Sequence, residues 1–286
     1  MLLKLYFFLL KKFEFILDAF SKRICFFCKF NLGAIICQDC LTDKLSLKQK
    51  IIDYQNLDLY FHACEQVFHP RIFYLFDYAK QNSYLIKKAK YFRPHYAVFL
   101  AELMAKVFKE EMQAFFLEDA QIFDKSIITK SNKQINLYLS FTPMYKAKEK
   151  KRGFNFAQIL AKEFFQLLNE NSILTDSLLL QTDFGLLKAN FGKVVFLDDF
   201  FQRTKNTRAL FNLKAKSRVK ELRNSFCVNS KINIKKEDLN FLLIIDDICT
   251  TGSTIMELMS LIRNTDLFVD IIGLTLYSRN LQFQAN

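Results

Sequence analysis

The stretch Phe241 to Thr254, FLLIIDDICTTGST, constrains this chain more than any other. Phe241 to Ile245 is a short apolar run of strand-forming residues, Asp246 and Asp247 follow, and a loop of small residues ends at Thr254. Beyond it Ile255, Leu258, Met259 and Ile262 recur at the i, i+3, i+4, i+7 spacing of an amphipathic helix. The loop therefore joins the carboxyl end of a buried strand to the amino end of a helix. Backbone N–H groups there lack intrahelical partners and the helix dipole favours negative charge, so the position suits an anion, a phosphate above all.

Residue types narrow the anion. Thr250, Thr251, Ser253 and Thr254 each add a hydroxyl donor, and Gly252 removes the side chain that would hold a phosphate away from the backbone. Asp246 and Asp247 lie one sugar length from that phosphate, and carboxylates accept hydrogen bonds from vicinal ribose hydroxyls. The stretch reads as a cradle for ribose 5-phosphate. A solvated strand end with an ordinary helix cap uses the same residue types and ranks below it. The other common phosphate loop, GxxxxGK[ST], does not occur. Val194 to Asp199, VVFLDD, imitates the apolar-plus-two-acids pattern but runs on into Phe-Phe-Gln-Arg, without the small hydroxyl residues of an anion nest.

Near the amino terminus Cys25-x2-Cys28 is followed after eight residues by Cys37-x2-Cys40. Two such pairs bring four thiolates onto one tetrahedral Zn²⁺ and leave no open coordination position, which makes the predicted zinc structural. Disulfides are the rival reading, disfavoured because no secretory signal is evident and a reducing cytosol is expected. Cys64, Cys227 and Cys249 are scattered and read as small core residues, and the irregular spacing of His62, Cys64 and His69 argues against a second metal site.

The 286 residues, 51% hydrophobic, are enough for one large or two small domains. Lys and Arg outnumber Asp and Glu by 41 to 29, a net charge of +12 that tilts towards an anionic partner. Leu2, Leu5, Leu9, Phe13, Ile16, Leu17 and Phe20 form one apolar stripe, read as a helix packed on protein; the longest uncharged run there, Leu5 to Leu10, falls far short of the ~18 residues of a membrane span. A cytoplasmic protein is expected. The organisation predicted is an amphipathic helix over 1–22, a zinc module over 23–45 and an α/β domain over 46–286.

Along that domain, strands are predicted at Leu57 to Phe61 and Ile72 to Phe76, and helices over Tyr84 to Glu111 with a break at Arg93-Pro94. Lys87, Lys88, Lys90 and Arg93, with Tyr91 and Phe92 between them, are read as a solvated basic face in preference to a grip on single-stranded nucleic acid. A strand with Ile135, Leu137, Leu139 and Phe141 on one face ends at Pro143. A basic loop, YKAKEKKRG, precedes a helix striped by Phe156, Leu160, Phe164 and Leu167 or Leu168, with Asn155 as its cap. In an open α/β sheet that loop leaves the same edge as the Asp246 turn, where its cations would neutralise a diphosphate.

The apolar run, paired acids and Thr-Thr-Gly-x-Thr loop resemble the phosphoribosyl pyrophosphate (PRPP) signature of type I phosphoribosyltransferases. With Cys25, Cys28, Cys37 and Cys40, Thr142-Pro143, Arg152-Gly153-Phe154-Asn155 and the basic stretch Arg203 to Thr207 with Arg218, the whole chain resembles the ComF (competence protein F) family. Leu210 and Glu221 depart from it, standing where polar Gln and Asn are expected.

The resemblance implies a type I phosphoribosyltransferase-like open parallel sheet flanked by helices behind the four-Cys module. It implies the ribose hydroxyls on Asp246 and Asp247, the 5-phosphate on Thr250, Thr251, Gly252, Ser253 and Thr254, and the diphosphate on Lys146, Lys148 and Arg152 with Mg²⁺. It also implies a cytoplasmic role in natural transformation, handling imported single-stranded DNA alongside other DNA-uptake proteins. Transfer from PRPP, binding of single-stranded DNA without transfer, and nucleobase salvage all remain open. The Cys pairs predict one zinc per purified chain by atomic absorption; Cys25→Ser with Cys28→Ser should abolish it, and a full complement of zinc in that variant would refute the assignment.

Overall fold

The structure, a computed structural model, describes residues 48–49, 71–77, 86, 90, 96–117, 135–170, 178–182, 185–189, 191–207, 215–229, 234, 238–265, 267–268 and 270–278. The predicted amino-terminal helix, the four cysteines predicted to bind zinc and the predicted strand at Leu57 to Phe61 lie outside them.

The elements run β1 (Lys48–Gln49), β2 (Arg71–Asp77), α1 (Tyr96–Leu117), β3 (Ile135–Phe141), α2 (Lys146–Arg152), α3 (Phe156–Glu170), β4 (Leu178–Thr182), β5 (Gly185–Ala189), β6 (Phe191–Phe196), β7 (Phe201–Arg203), α4 (Ala215–Leu222), β8 (Phe226–Val228), β9 (Leu239–Cys249), α5 (Ser253–Ile262) and β10 (Asp270–Ser278). Six strands form one sheet in the order β1-β2-β10-β9-β3-β6, in which β2, β10, β9, β3 and β6 are parallel and β1 is an antiparallel edge. The protein is thus α/β, with a five-strand parallel sheet flanked by helices.

The central strands read as nearly unbroken apolar runs because helices cover both faces. On one face Leu137, Leu139, Phe141, Leu243 and Ile245 pack against Met104 and Phe108 of α1 and Phe156, Leu160 and Phe164 of α3. On the other, Leu242 and Ile244 meet Ile255, Leu258, Met259 and Ile262 of α5, and this core continues into Phe200, Phe201, Leu222 and Phe226. The last group belongs to an arm, the antiparallel pair β7–β8 with α4 between its strands in sequence. Among the described residues no helix is long and apolar enough to cross a membrane.

The strand at Ile135, the striped helix after Asn155 and the helix after the Thr-rich turn stand where the sequence placed them. Two expectations need correction. The predicted basic loop is helical over Lys146–Arg152. Lys, Glu and Arg are good helix formers, Glu149 sits in the first turn and Lys150, Lys151 and Arg152 in the last, and both placements complement the dipole. Gly153 closes the helix in the left-handed conformation at φ 90°, its N–H donating to the Glu149 carbonyl at 2.7 Å. The second correction is that β9 does not stop at Ile245. It continues through both acids to Cys249, because β10 keeps pairing with it, Thr275 opposite Asp246 and Tyr277 opposite Ile248.

Candidate functional site

Strands β3 and β9 are neighbours, yet the helices that follow them depart to opposite faces, α3 to one and α5 to the other. Such a reversal opens a crevice at the carboxyl ends of the two strands, the usual ligand position in an open α/β sheet. Thr142 follows the last residue of β3 and is buried. Its N–H donates to the Ile245 carbonyl at 3.0 Å and its hydroxyl donates to the Asp246 carboxylate. Asn155 fixes the same spot from the other side, donating its side-chain amide to the Thr142 carbonyl at 3.0 Å and accepting the Ala157 N–H at 3.2 Å, which caps α3.

The turn after β9 has the geometry its composition requires. Gly252 is left-handed at φ 80°, and a Cβ there would meet Ile72 Cδ1 at 3.1 Å and Met256 Sδ at 3.6 Å. A side chain at this position would cost about 1–2 kcal/mol in backbone conformation alone. The Gly252 carbonyl accepts the Met256 N–H at 2.9 Å, so the helix begins without a side-chain cap. The Thr251 and Ser253 hydroxyls share a 2.6 Å hydrogen bond across the turn. A shallow, open depression is lined by Asp246 and by Ile248 through Ile255. All five predicted phosphate residues, Thr250 to Thr254, therefore line one concavity with one of the two acids.

The acids differ in their surroundings. Asp246 faces the depression, and its carboxyl is pushed up to about 7, first by desolvation and then by the charge of Asp247. The Thr142 hydroxyl, Lys90 and the Asp247 N–H, which donates to Asp246 Oδ1 at 2.8 Å, pull it back only in part. Asp247 is 8% exposed, does not line the depression, and forms an ion pair with the Lys90 ammonium. Burial works against the charge on Lys90, yet its pKa stands above the ordinary value because Asp247 holds the ammonium. Lys90 is therefore tied to the acid pair, not part of a solvated basic face as the sequence implied.

Cations from two further elements, α2 and β7, converge here. Lys148 of α2 donates to the Thr207 carbonyl at 2.5 Å, and Arg203 of β7 donates to the Thr207 hydroxyl while lying 5.1 Å from the centre of the Phe226 ring. Desolvation lowers the pKa of both, and Lys148 is lowered further by Arg203 and Arg152. Arg203 feels Asp246, and Lys90 feels Arg152. Of the three cations predicted for a diphosphate, Lys148 and Arg152 belong to this cluster, and Lys146, at the start of α2, is not tied to it by any interaction among the described residues. The arm that carries Arg203 is anchored to α5, where buried Glu257 accepts the Asn224 N–H at 2.9 Å.

Sequence reasoning missed Lys90 and gave Arg203 no role in the site. Both sit far from the signature in the chain, and only the spacing of Arg203 from Thr207 hinted at a local contact. The imitation motif behaves differently from the Asp246 stretch. Asp198 follows β6 at the sheet edge and is bound by Gln158 at 2.6 Å and Lys162 at 2.8 Å, both on α3. Among the described residues no group of three or more His, Cys, Asp or Glu is arranged to hold a metal ion. The donor set fits Mg²⁺ only as an ion carried largely by ligand and water oxygens, with Asp246 at its edge. No protein-family model and no curated protein matches the chain.

The raised Asp246 carboxyl fixes the sign of a stability effect. Its folded value of about 7 exceeds the ordinary 3.8, so the folded state binds the proton more tightly and stability falls as pH rises across that interval. Asp246→Asn removes this loss. Calorimetric melting of the two proteins should coincide near pH 4 and diverge above it, the variant melting several degrees higher at pH 8; parallel curves would contradict the assignment.

Proposed function

We propose that this protein is a ComF-like member of the type I phosphoribosyltransferase-like fold that binds PRPP or a closely related 5-phosphorylated ribose. The observation that carries the reading is the shared concavity of Asp246 and the Thr250 to Thr254 turn, at the point where successive helices depart to opposite faces of the sheet, with Lys148, Arg152 and Arg203 nearby. In this reading the amides and hydroxyls of Thr250 to Thr254 hold the 5-phosphate. Asp246 and Asp247 accept the ribose hydroxyls, and Lys148 and Arg152 take the diphosphate. Mg²⁺, when bound, neutralises diphosphate charge and eases its departure.

The residues of the chain contribute positioning and electrostatics more than covalent chemistry. Loss of diphosphate leaves positive charge on the ribose ring, which carboxylates at Asp246 and Asp247 stabilise because they are already oriented and largely shielded from water. A nucleophile then attacks carbon one. The arm formed by β7, α4 and β8 lies on the cation side and supplies Arg203 from across the site. The resemblance to ComF proteins supports a role in natural transformation, on single-stranded DNA entering the cytoplasm, with a structural zinc module at the amino terminus.

A second reading, single-stranded DNA binding without transfer, is favoured by the exposed lysines Lys146, Lys148, Lys150 and Lys151 along one short helix. Phosphate contacts of that kind weaken steeply with salt.

Isothermal titration of PRPP with Mg²⁺ should show binding to the native protein and none to Asp246→Asn/Asp247→Asn; unchanged affinity in the double variant would defeat the PRPP reading. Incubation with labelled PRPP, Mg²⁺ and either DNA or free bases separates the two functions. Pyrophosphate release marks transfer, whereas salt-sensitive DNA binding without release marks the binding module.

A further inference from the structure

The pairing of Lys90 with Asp247 is difficult to explain as a stabilising device. A buried ion pair recovers its desolvation cost only with good geometry and further hydrogen bonds, and replacing such a pair with apolar side chains is often neutral or favourable. The side chains of Lys90 and Asp247 are 21% and 11% exposed, so the pair is not wholly sealed from solvent. The pair also engages the very carboxylate that the signature assigns to a sugar.

The surroundings of Lys90 point to a second position for its ammonium. It feels the negative charge of both Asp247 and Asp246 and the positive charge of Arg152 at the end of α2. It is therefore within electrostatic reach of both the acid pair and Arg152. An anion held by Arg152 and Lys148 would turn that repulsion into a shared attraction and draw the ammonium off Asp247. The freed carboxylate would then need donors, and two vicinal hydroxyls supply them. Both halves of the exchange are satisfied by one molecule that carries a diphosphate and a ribose together.

We propose that Lys90 is a specificity-determining residue: it blocks Asp247 until a diphosphate on α2 attracts it, so that the sugar hydroxyls are accepted only when the diphosphate is present. This rests on the PRPP reading and extends it. Ribose 5-phosphate alone leaves Lys90 on Asp247 and binds weakly, while PRPP moves Lys90 and gains Asp247. Pyrophosphate and ribose 5-phosphate, added as separate molecules, bind cooperatively for the same reason, and the coupling is reciprocal.

The test is calorimetry on the full chain with Mg²⁺, using PRPP, ribose 5-phosphate, and ribose 5-phosphate in the presence of pyrophosphate. Native protein should prefer PRPP and should bind ribose 5-phosphate about tenfold more tightly once pyrophosphate is added. Lys90→Met should hold ribose 5-phosphate at least as tightly as the native protein, lose about tenfold in PRPP affinity and lose the coupling. Lys90→Arg should keep the coupling. Absence of coupling in the native protein overturns the inference without any variant, as does equal weakening of both ligands in Lys90→Met. Native protein that binds PRPP but fails these comparisons refutes the role of Lys90 alone, whereas native protein that binds neither sugar phosphate overturns the PRPP reading and this inference together.

Discussion

Strand β9 is paired along both edges, by β3 and β10, and covered on both faces by helices, and the site depends on that confinement. A strand so enclosed has no freedom to drift, so the two carboxylates at its end are held at fixed depth beside each other. The same pairing that buries Ile244 and Ile245 carries Asp246 into the ladder opposite Thr275. The left-handed Gly252 then turns the chain immediately, and α5 starts with Ser253 and Thr254 lining the depression.

That enclosure has an electrostatic consequence. Burial in a poorly solvated crevice, and after it the charge of the neighbouring Asp247, oppose the ionisation of Asp246, which is why its carboxyl is raised so far. The fold answers with cations, but it does not deliver them to the acids alone. Lys90 reaches Asp247 directly, while Lys148 and Arg203 are tied to the carbonyl and hydroxyl of Thr207. Lys148 and Arg203 are therefore held by neutral oxygens near the acids, while Lys90 pairs with one of them. An arrangement of this kind suits a ligand that brings hydroxyls to one part of the site and several negative charges to another.

Much of this is legible in the chain because it is local. The apolar run, the acids, the small-residue turn and the helix after it are consecutive, and so are β3, Pro143 and the helix capped by Asn155. Periodicity and cap chemistry report such neighbours directly. The basic segment Lys146–Arg152 is harder to read, since its charge density suggests a solvated loop while the helix propensity of the same residues, and Gly153 as their stop, decide the conformation. Arg203 and Lys90 are invisible as site residues for a different reason. Each meets Asp246 or Asp247 only through sheet order and the docking of a separate element, and no spacing in the sequence encodes that meeting.

The origins of those cations also decide how the site can respond to a ligand. Lys148 and Arg152 belong to α2, Arg203 to the β7–β8 arm, and Lys90 to the segment ahead of α1, so three elements that follow different paths through the fold meet over one pair of acids. Buried Glu257 links the arm to α5, the helix whose amino end lines the depression, by accepting the Asn224 N–H. Asn224 is itself left-handed at φ 56°, a conformation tolerated more readily by Asn than by most residues. A shift of the arm therefore bears on the turn that holds Gly252 as well as on Arg203. The arm that carries Arg203 and the helix whose amino end lines the depression are thus joined twice, by that buried carboxylate and by the shared core of Leu222, Phe226 and Met259.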